Sequence, residues 1–222
     1  MAETAQVLSD VPVISKFLGL CRIRNVPNKT VIIHAGDLPD SLYYITSGSV
    51  EVMIEDEDGN EMVLAYLNKG QFFGEMGLFH DQPARSAWVR TRVASEIAEM
   101  TYPRFRQIAS ESPGLVFELA TQLATRLDRT NRKLGDLAFV DVTGRVAHAI
   151  MDLCDEPDAM THPDGMQIKV SRQELSRLVG CSREMAGRVL KILEEQGLVS
   201  ASGKTIVVYN ARPRPTISAV AQ

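Results

Sequence analysis

The sequence is poor in the residues that carry covalent chemistry and lacks the patterns that cross membranes. Its 222 residues include four histidines and three cysteines. The histidines (His34, His80, His148 and His162) are scattered, and no Ser/His/Asp or Cys/His constellation can be read around them, so nothing in the chain argues for an enzyme. Cys21, Cys154 and Cys181 are odd in number and far apart. That spacing excludes a disulfide framework or a clustered metal site and fits a reduced, cytoplasmic setting. No apolar run approaches the roughly 18–20 residues needed to span a bilayer. The N-terminal MAETAQVLSD has no basic segment of the kind a signal peptide needs. Internal repeats and low-complexity segments are missing as well. With 45% apolar and 23% charged residues, the disordered, collagen-like and coiled-coil classes are excluded.

What remains is a chain long enough for two modest domains. Its charge is unevenly spread. The net charge is −4, yet between Ile168 and Arg214 nine Lys/Arg face four acids, a local +5 that leaves −9 elsewhere. An acidic body with a basic C-terminal module is the asymmetry expected of a DNA-reading domain attached to a sensor.

The texture also changes along the chain. A short opening helix is expected over about residues 9–20, with Ser9 or Asp10 as its cap. From about Arg22 to Met100 come short alternating runs (TVIIHAG, SLYYITSGSVEVMIED, EMVLAYL) broken by Gly36-Asp37, Gly48 and Asp58-Gly59-Asn60. Such runs predict an antiparallel sandwich or roll, with DEDGNE as a hairpin turn. Beyond Tyr102 the period becomes helical. Leu119, Leu123, Leu127, Thr130, Leu134 and Leu137 are spaced 4, 4, 3, 4 and 3 residues apart, a seam suited to pairing with a second helix. The polar member, Thr130, is either a device that sets register or the place where a ligand's polar edge meets the seam. Asp141 then caps a new helix running to about Cys154, and PDAMTHPDG (157–165) reads as an exposed loop. The expected fold is α+β: an N-terminal β-roll with a long dimerisation helix over 1–137, and a C-terminal winged helix-turn-helix over 138–222, the last residues from 211 being a disordered tail.

Two stretches carry chemistry. In VSRQELSRLVGCSREMAGRVLKILEEQGLV, Ser171 and Glu174 form a capping box, Gly180-Cys181-Ser182 a tight turn, and Ser182 the cap of a second helix. On that helix Met185, Ala186, Val189, Leu190 and Leu193 share one face, and Arg183, Glu184, Arg188 and Lys191 the other. A helix, a three-residue turn and an amphipathic helix make a major-groove reader, with LVSASGKTIVVY as a wing tipped by Gly203-Lys204. Arginine can grip guanine through two hydrogen bonds and glutamate can accept from cytosine. Arg172, Ser182 and Lys191 suit phosphate contacts. The second stretch is GQFFGEMGLFHDQPARSAWVRT. There a short helical turn at Gly74–Leu78 offers backbone N–H groups to an anion, Arg85 and Ser86 can clamp a phosphodiester, and Glu75 can accept from a ribose hydroxyl.

From about Phe17 to Tyr209 the chain resembles the bacterial cyclic AMP receptor proteins (catabolite activators). Gly74 to Arg90 looks like their phosphate-binding cassette, and LAFVDVTGR, EPDAMTHPDGMQIKVSRQEL, VGCSREMAGRVLK and GKTIVVY look like their segments, nearer to the pseudomonad virulence-regulator branch than to distant members. The resemblance implies that cyclic AMP is an allosteric ligand, with Gly74 and Glu75 on the ribose and cyclic phosphate and Arg85 and Ser86 on the phosphate. Thr130 would bond the adenine amino group. Asn131 stands where the family usually has Ser or Thr reaching the other subunit's nucleotide, and Ala65 stands where a serine is often found. The resemblance also implies a homodimer on palindromic double-stranded TGTGA-like sites, read by Arg183, Glu184 and Arg188. RNA polymerase would be contacted through the Thr161–Gly165 loop and through Arg22, Arg24 and Arg104. Cyclic GMP, cyclic di-GMP, haem and iron–sulfur remain as effectors on the same fold. Without an N-terminal cysteine cluster the last loses ground, while Arg85-Ser86 favours a cyclic mononucleotide and Thr130 favours adenine.

Overall fold

The computed structural model describes residues 11–79 and 83–212. The chain forms two compact units, the first made of the residues through Ile54 with Leu64–Arg129, the second of Glu55–Val63 with the residues from Thr130 onward. The first opens with helix α1 (Val11–Leu18); the expected caps Ser9 and Asp10 lie outside the described residues. Strands β1 (Arg22–Val26), β2 (Val31–Ile33), β3 (Ser41–Ser47), β4 (Ser49–Glu55), β5 (Glu61–Asn68) and β6 (Phe72–Phe73) follow. After a one-turn helix α2 (Met76–Phe79) come β7 (Trp88–Thr91), β8 (Ser95–Thr101), α3 (Tyr102–Glu111) and the long α4 (Gly114–Phe139).

The strands pair antiparallel in two four-stranded sheets, β1-β8-β3-β6 and β2-β7-β4-β5. Strand periodicity explains how they stack. Successive side chains point to opposite faces, so on β3 Leu42 joins one core and Tyr43 and Ile45 another, and on β6 Phe72 and Phe73 divide the same way. The core shared by the two sheets holds Ile33, Val50, Leu67 and Val89 from one and Val26, Tyr43, Ile45, Phe73 and Ile97 from the other. The outer face of the first sheet is covered by α1, α3 and the start of α4, through Phe17, Phe105, Ile108, Leu115 and Leu119. This is the expected β-roll. The DEDGNE turn also forms as read: Asp56 Oδ1 accepts from the backbone N–H groups of Asp58 (3.0 Å) and Asn60 (2.8 Å).

The helical seam is rotated from its expected position. Leu119 is fully buried in its own unit and Leu123 packs against the same cluster, so the first two members of the sequence-derived seam face inward. The stripe that α4 leaves exposed runs Phe117, Ala120, Ala124, Leu127, Asn131, Leu134 and Ala138, spaced alternately three and four residues apart. Asn131 is its polar member, and the adjacent Thr130 is exposed as well. Buried leucines and seam leucines have the same helical spacing, so periodicity alone could not separate the two faces.

The second unit contains α5 (Val142–Cys154), β9 (Met160–His162), β10 (Gly165–Lys169), α6 (Arg172–Val179), α7 (Arg183–Glu195), β11 (Val199–Ser202) and β12 (Thr205–Tyr209). The strands form one antiparallel sheet, β11-β12-β10-β9. Residues 157–165 are therefore not loop throughout: Met160 and Thr161 pair with Gln167 and Met166 on β10. The local start signals act as read. Asp141 accepts from Gly144 N at 2.8 Å, Ser171 from Glu174 N at 3.1 Å and Ser182 from Met185 N at 3.1 Å. Gly180 ends α6 at φ 69°, a left-handed position that favours glycine and turns the chain sharply into α7. Val146, Ile150, Leu175, Val179, Ala186, Val189 and Leu190 are all buried. The expected tail lies outside the described residues beyond Arg212.

One residue of α1 anchors that helix. Phe17 is fully buried, with edge-on contacts to Phe72 (ring centroids 5.4 Å), Tyr44 (6.1 Å) and Phe105 (6.3 Å). Phe17→Ala is expected to lower unfolding free energy by about 3–5 kcal/mol, read as a lower urea midpoint at unchanged slope.

Candidate functional site

Between the two sheets of the roll and α2 lies a cavity of about 90 Å³. Ile33, Val52, Leu67, Phe73 and Val89 make its walls apolar, while Gly74, Glu75, Arg85, Ser86 and Arg126 supply polar groups. A dry wall with a few convergent charges is the usual make-up of a small-ligand site. Arg85 is withdrawn from water, its side chain only 7% exposed. Its Nη1 donates to Gly74 O (2.8 Å) and Tyr102 Oη (2.8 Å), and its Nη2 to Ser41 O (2.8 Å). Gly74 sits at φ +77°, and an added Cβ would lie 3.0 Å from Arg85 Nη1 and 3.1 Å from a Tyr43 ring carbon. The guanidinium thus occupies the space that only a glycine leaves open. Ser86 is exposed and its hydroxyl donates to the Met76 sulfur at 3.5 Å, a weak acceptor that an incoming oxygen can replace. The expected free amides are partly used: Leu78 N–H already donates to Glu75 O at 2.9 Å.

Arg126, on α4, was not singled out from the sequence. Its Nη1 lies 3.3 Å from the buried carboxylate of Glu75, and Nη2 donates to Phe72 O. Its Nε is buried without a hydrogen-bond partner among the described residues, and burial lowers the guanidinium's pKa while Glu75 raises it. A guanidinium at the wall of a cavity favours an anionic occupant. Two guanidiniums and one carboxylate give the cavity a net positive charge. Burial also pushes Tyr43 up to about 12, keeping that phenol neutral. The available signal for Arg126 was its place one helical turn before Thr130. Thr130 and Asn131 are themselves exposed on α4 and are not among the residues lining the cavity.

In the second unit α6 and α7 present most of their charged residues outward, Arg177 being largely buried against Glu61. Arg172, Ser182, Arg183, Glu184, Arg188 and Lys191 are all exposed. Arg183 and Glu184 open α7, and Ser182, which caps the helix by accepting from Met185 N–H, keeps its own O–H to donate.

Two family models match the chain: the cyclic nucleotide-binding domain over residues 23–112 and the crp family of bacterial regulatory proteins over 168–199. Among the curated relatives, the cAMP-activated global transcriptional regulator CRP of Salmonella typhimurium is 54% identical, covering 90% of this chain and 96% of its own. The cAMP-activated global transcriptional regulator Vfr of Pseudomonas aeruginosa is 55% identical over 90% and 94%. Among solved structures, the cyclic di-GMP-responsive global regulator CLP of Xanthomonas campestris superposes with a TM-score of 0.85 at 46% identity, covering 90% of this chain and all of that one. The chain belongs to the crp family of bacterial transcription regulators. The relatives are regulators rather than enzymes, and the expected α+β architecture is that of the family. No helix among the described residues is long and apolar enough to cross a membrane.

Within the family frame, most of the remaining sequence-derived positions are surface features. Arg22 and Arg24 lie on the exposed strand β1, with Arg24 3.8 Å from Glu99, and Arg104 is exposed on α3. At the β9–β10 turn Asp164 N–H donates to His162 Nδ1 at 3.2 Å, which gives His162 a structural role in the turn. Ala65 packs against the inter-sheet core and does not line the cavity. The cavity's dependence on a bare Gly74 is open to test. Gly74→Ala is expected to cost about 1–3 kcal/mol through the strained φ and the displaced Arg85, seen as a lowered thermal midpoint.

Proposed function

We propose that this protein is a cyclic-AMP-responsive transcription regulator that binds palindromic TGTGA-like DNA sites as a homodimer and contacts RNA polymerase. The observation that carries the ligand half is the positively charged, apolar-walled cavity in which Arg85, Arg126, Ser86 and Glu75 converge. In it Ser86 and the two guanidiniums take the cyclic phosphate, and Glu75 and Gly74 take the ribose. Thr130 then bonds the adenine amino group. The relatives' names, both cAMP-activated, support the same ligand. For DNA, Arg183, Glu184 and Arg188 read base edges, and Arg172, Ser182 and Lys191 fix the register on phosphates. The Thr161–Gly165 turn and the basic trio Arg22, Arg24 and Arg104 face RNA polymerase.

The similarity to the cyclic di-GMP-responsive CLP favours a second reading, in which the same fold answers a cyclic dinucleotide. The cavity carries one Arg-Ser pair, suited to a single phosphodiester, and this supports the mononucleotide. Titration calorimetry with cyclic AMP, cyclic GMP and cyclic di-GMP separates the readings, with cyclic AMP expected to bind tightest. Mobility shift on a palindromic TGTGA site is expected to depend on the nucleotide, and equal binding without it would overturn the ligand half. Arg188→Ala should cost about 1–3 kcal/mol of site affinity and relax preference at one base position.

The exposed α4 stripe supports a parallel helix pair across the dimer axis. Leu134 is about two-thirds exposed and Leu127 nearly so, a liability unless a second copy covers them. Asn131 at a seam position sets register at some cost in stability. Leu134→Asp is expected to sediment as a monomer and to lose DNA binding while the roll remains folded.

A further inference from the structure

We infer that Tyr102 positions Arg85 for the bound phosphate, so that its hydroxyl governs how tightly, and through which phosphate oxygen, a cyclic nucleotide is held. This rests on the nucleotide-binding reading above. Tyr102 opens α3, directly after the cap residue Thr101, and its ring is buried in the core beneath the first sheet with Phe17, Leu42 and Phe105. Its backbone is fixed too, Tyr102 N–H donating to Asp40 O at 2.9 Å. The ring therefore has one place to be, and the hydroxyl at its tip is aimed.

That hydroxyl makes two contacts of opposite sense. It donates to Gly74 O at 2.5 Å and accepts from Arg85 Nη1 at 2.8 Å. Gly74 O in turn accepts from the same Nη1, closing a triangle of three groups at the cavity edge. The other acceptors of Arg85, Gly74 O and Ser41 O, are backbone carbonyls, present whatever side chains stand there. The Tyr102 hydroxyl is the side-chain member that removal can test. Burial raises the phenol's pKa above its ordinary value, against the lowering influence of Arg85, so at neutral pH it keeps the proton that it donates to Gly74.

Asp40 gives the triangle a purpose. Its carboxylate is largely exposed and lies 3.7 Å from Arg85 Nη2, a rival anion for the guanidinium on the side away from the tyrosine. A guanidinium presents donors in a fixed fork, so a small rotation changes which oxygen of a phosphate it meets. With Tyr102 in place the fork is pinned on Nη1. Without the hydroxyl, Nη1 loses an acceptor and Gly74 O loses a donor, and Arg85 turns toward Asp40.

The two non-bridging oxygens of a cyclic phosphate are distinguishable, and replacing either with sulfur gives two diastereomers of adenosine cyclic phosphorothioate. The experiment titrates full-length wild type and Tyr102→Phe with cyclic AMP and with each diastereomer, alongside thermal denaturation. Loss of one hydrogen bond to a charged group predicts a fall in cyclic AMP affinity of about tenfold, with the affinity ratio between diastereomers shrinking toward one. Equal losses for both diastereomers, or no loss, would overturn the inference, because a role only in packing α3 would not alter the ratio. Asp40→Asn in the wild-type background serves where Tyr102→Phe fails to fold. It removes the rival and is expected to tighten cyclic AMP binding by about two- to threefold, and unchanged or weaker binding counts against the idea. Wild type that binds none of the three cyclic nucleotides would overturn the functional reading itself, whereas binding with an unaltered diastereomer ratio in the variant overturns only the role of Tyr102.

Discussion

A guanidinium taken out of water needs acceptors on every side, and the need of Arg85 for them organises the first unit. Its partners come from three distant stretches of chain: Ser41 on β3, Gly74 between β6 and α2, and Tyr102 at the start of α3. Backbone bonds extend the knot, Arg85 N–H donating to Asp37 O at 2.8 Å and Gly36 N–H to Arg85 O at 2.9 Å. Each partner is itself fixed by packing, Tyr102 in the core under the first sheet and Gly74 against Tyr43 and Ile33. Burying such a cation costs several kcal/mol unless it is fully bonded, so these segments can close around it in very few ways. These bonds tie Arg85 in place before any ligand arrives, and preorganisation of this kind saves the ordering cost of binding.

Arg126 is the opposite case. It has one carboxylate, Glu75, one carbonyl, Phe72 O, and a buried Nε with no partner among the described residues. Arg85 is satisfied by the protein and Arg126 is not, although both line the same space. In the proposed complex the two would therefore differ in function. Arg85 would offer a preset fork, and Arg126 would add a second positive charge at the cavity wall. Since Arg126 sits on α4, an anion held there would act on the helix that carries the exposed stripe.

How much of this could be read in advance follows from the range of each interaction. The caps at Asp141, Ser171 and Ser182 were legible because a capping bond spans three residues and leaves a local signature. Alternation along β3 and β4 and the Asp58-Gly59 turn are equally local. Gly74, Glu75, Arg85 and Ser86 were picked out together, and they do line one cavity, because the segment that holds them is short. Arg126 was missed because a basic residue on an amphipathic helix looks like any solvated charge. Its burial depends on β6 and Glu75, roughly fifty residues away. The inward turn of Leu119 and Leu123 was hidden for the same reason, since it is set by α1 and α3 rather than by the spacing of α4.

The rotated seam changes what its polar residue means. With Thr130 in the stripe, one side chain would have to set the register of a helix pair and also meet a ligand. With Asn131 in the stripe, the two tasks fall to adjacent residues about 100° apart on a helix of 3.6 residues per turn. In the proposed dimer Asn131 would face the seam, where an amide pairs best with a like amide on a parallel partner. Thr130 is left to one flank, one turn beyond Arg126 on α4. In the proposed dimer, a ligand that bonds Thr130 and compensates Arg126 would hold two successive turns of α4 without displacing the residue that aligns the pair. Such a ligand could shift the helix pair only by binding one arrangement of it more tightly than another.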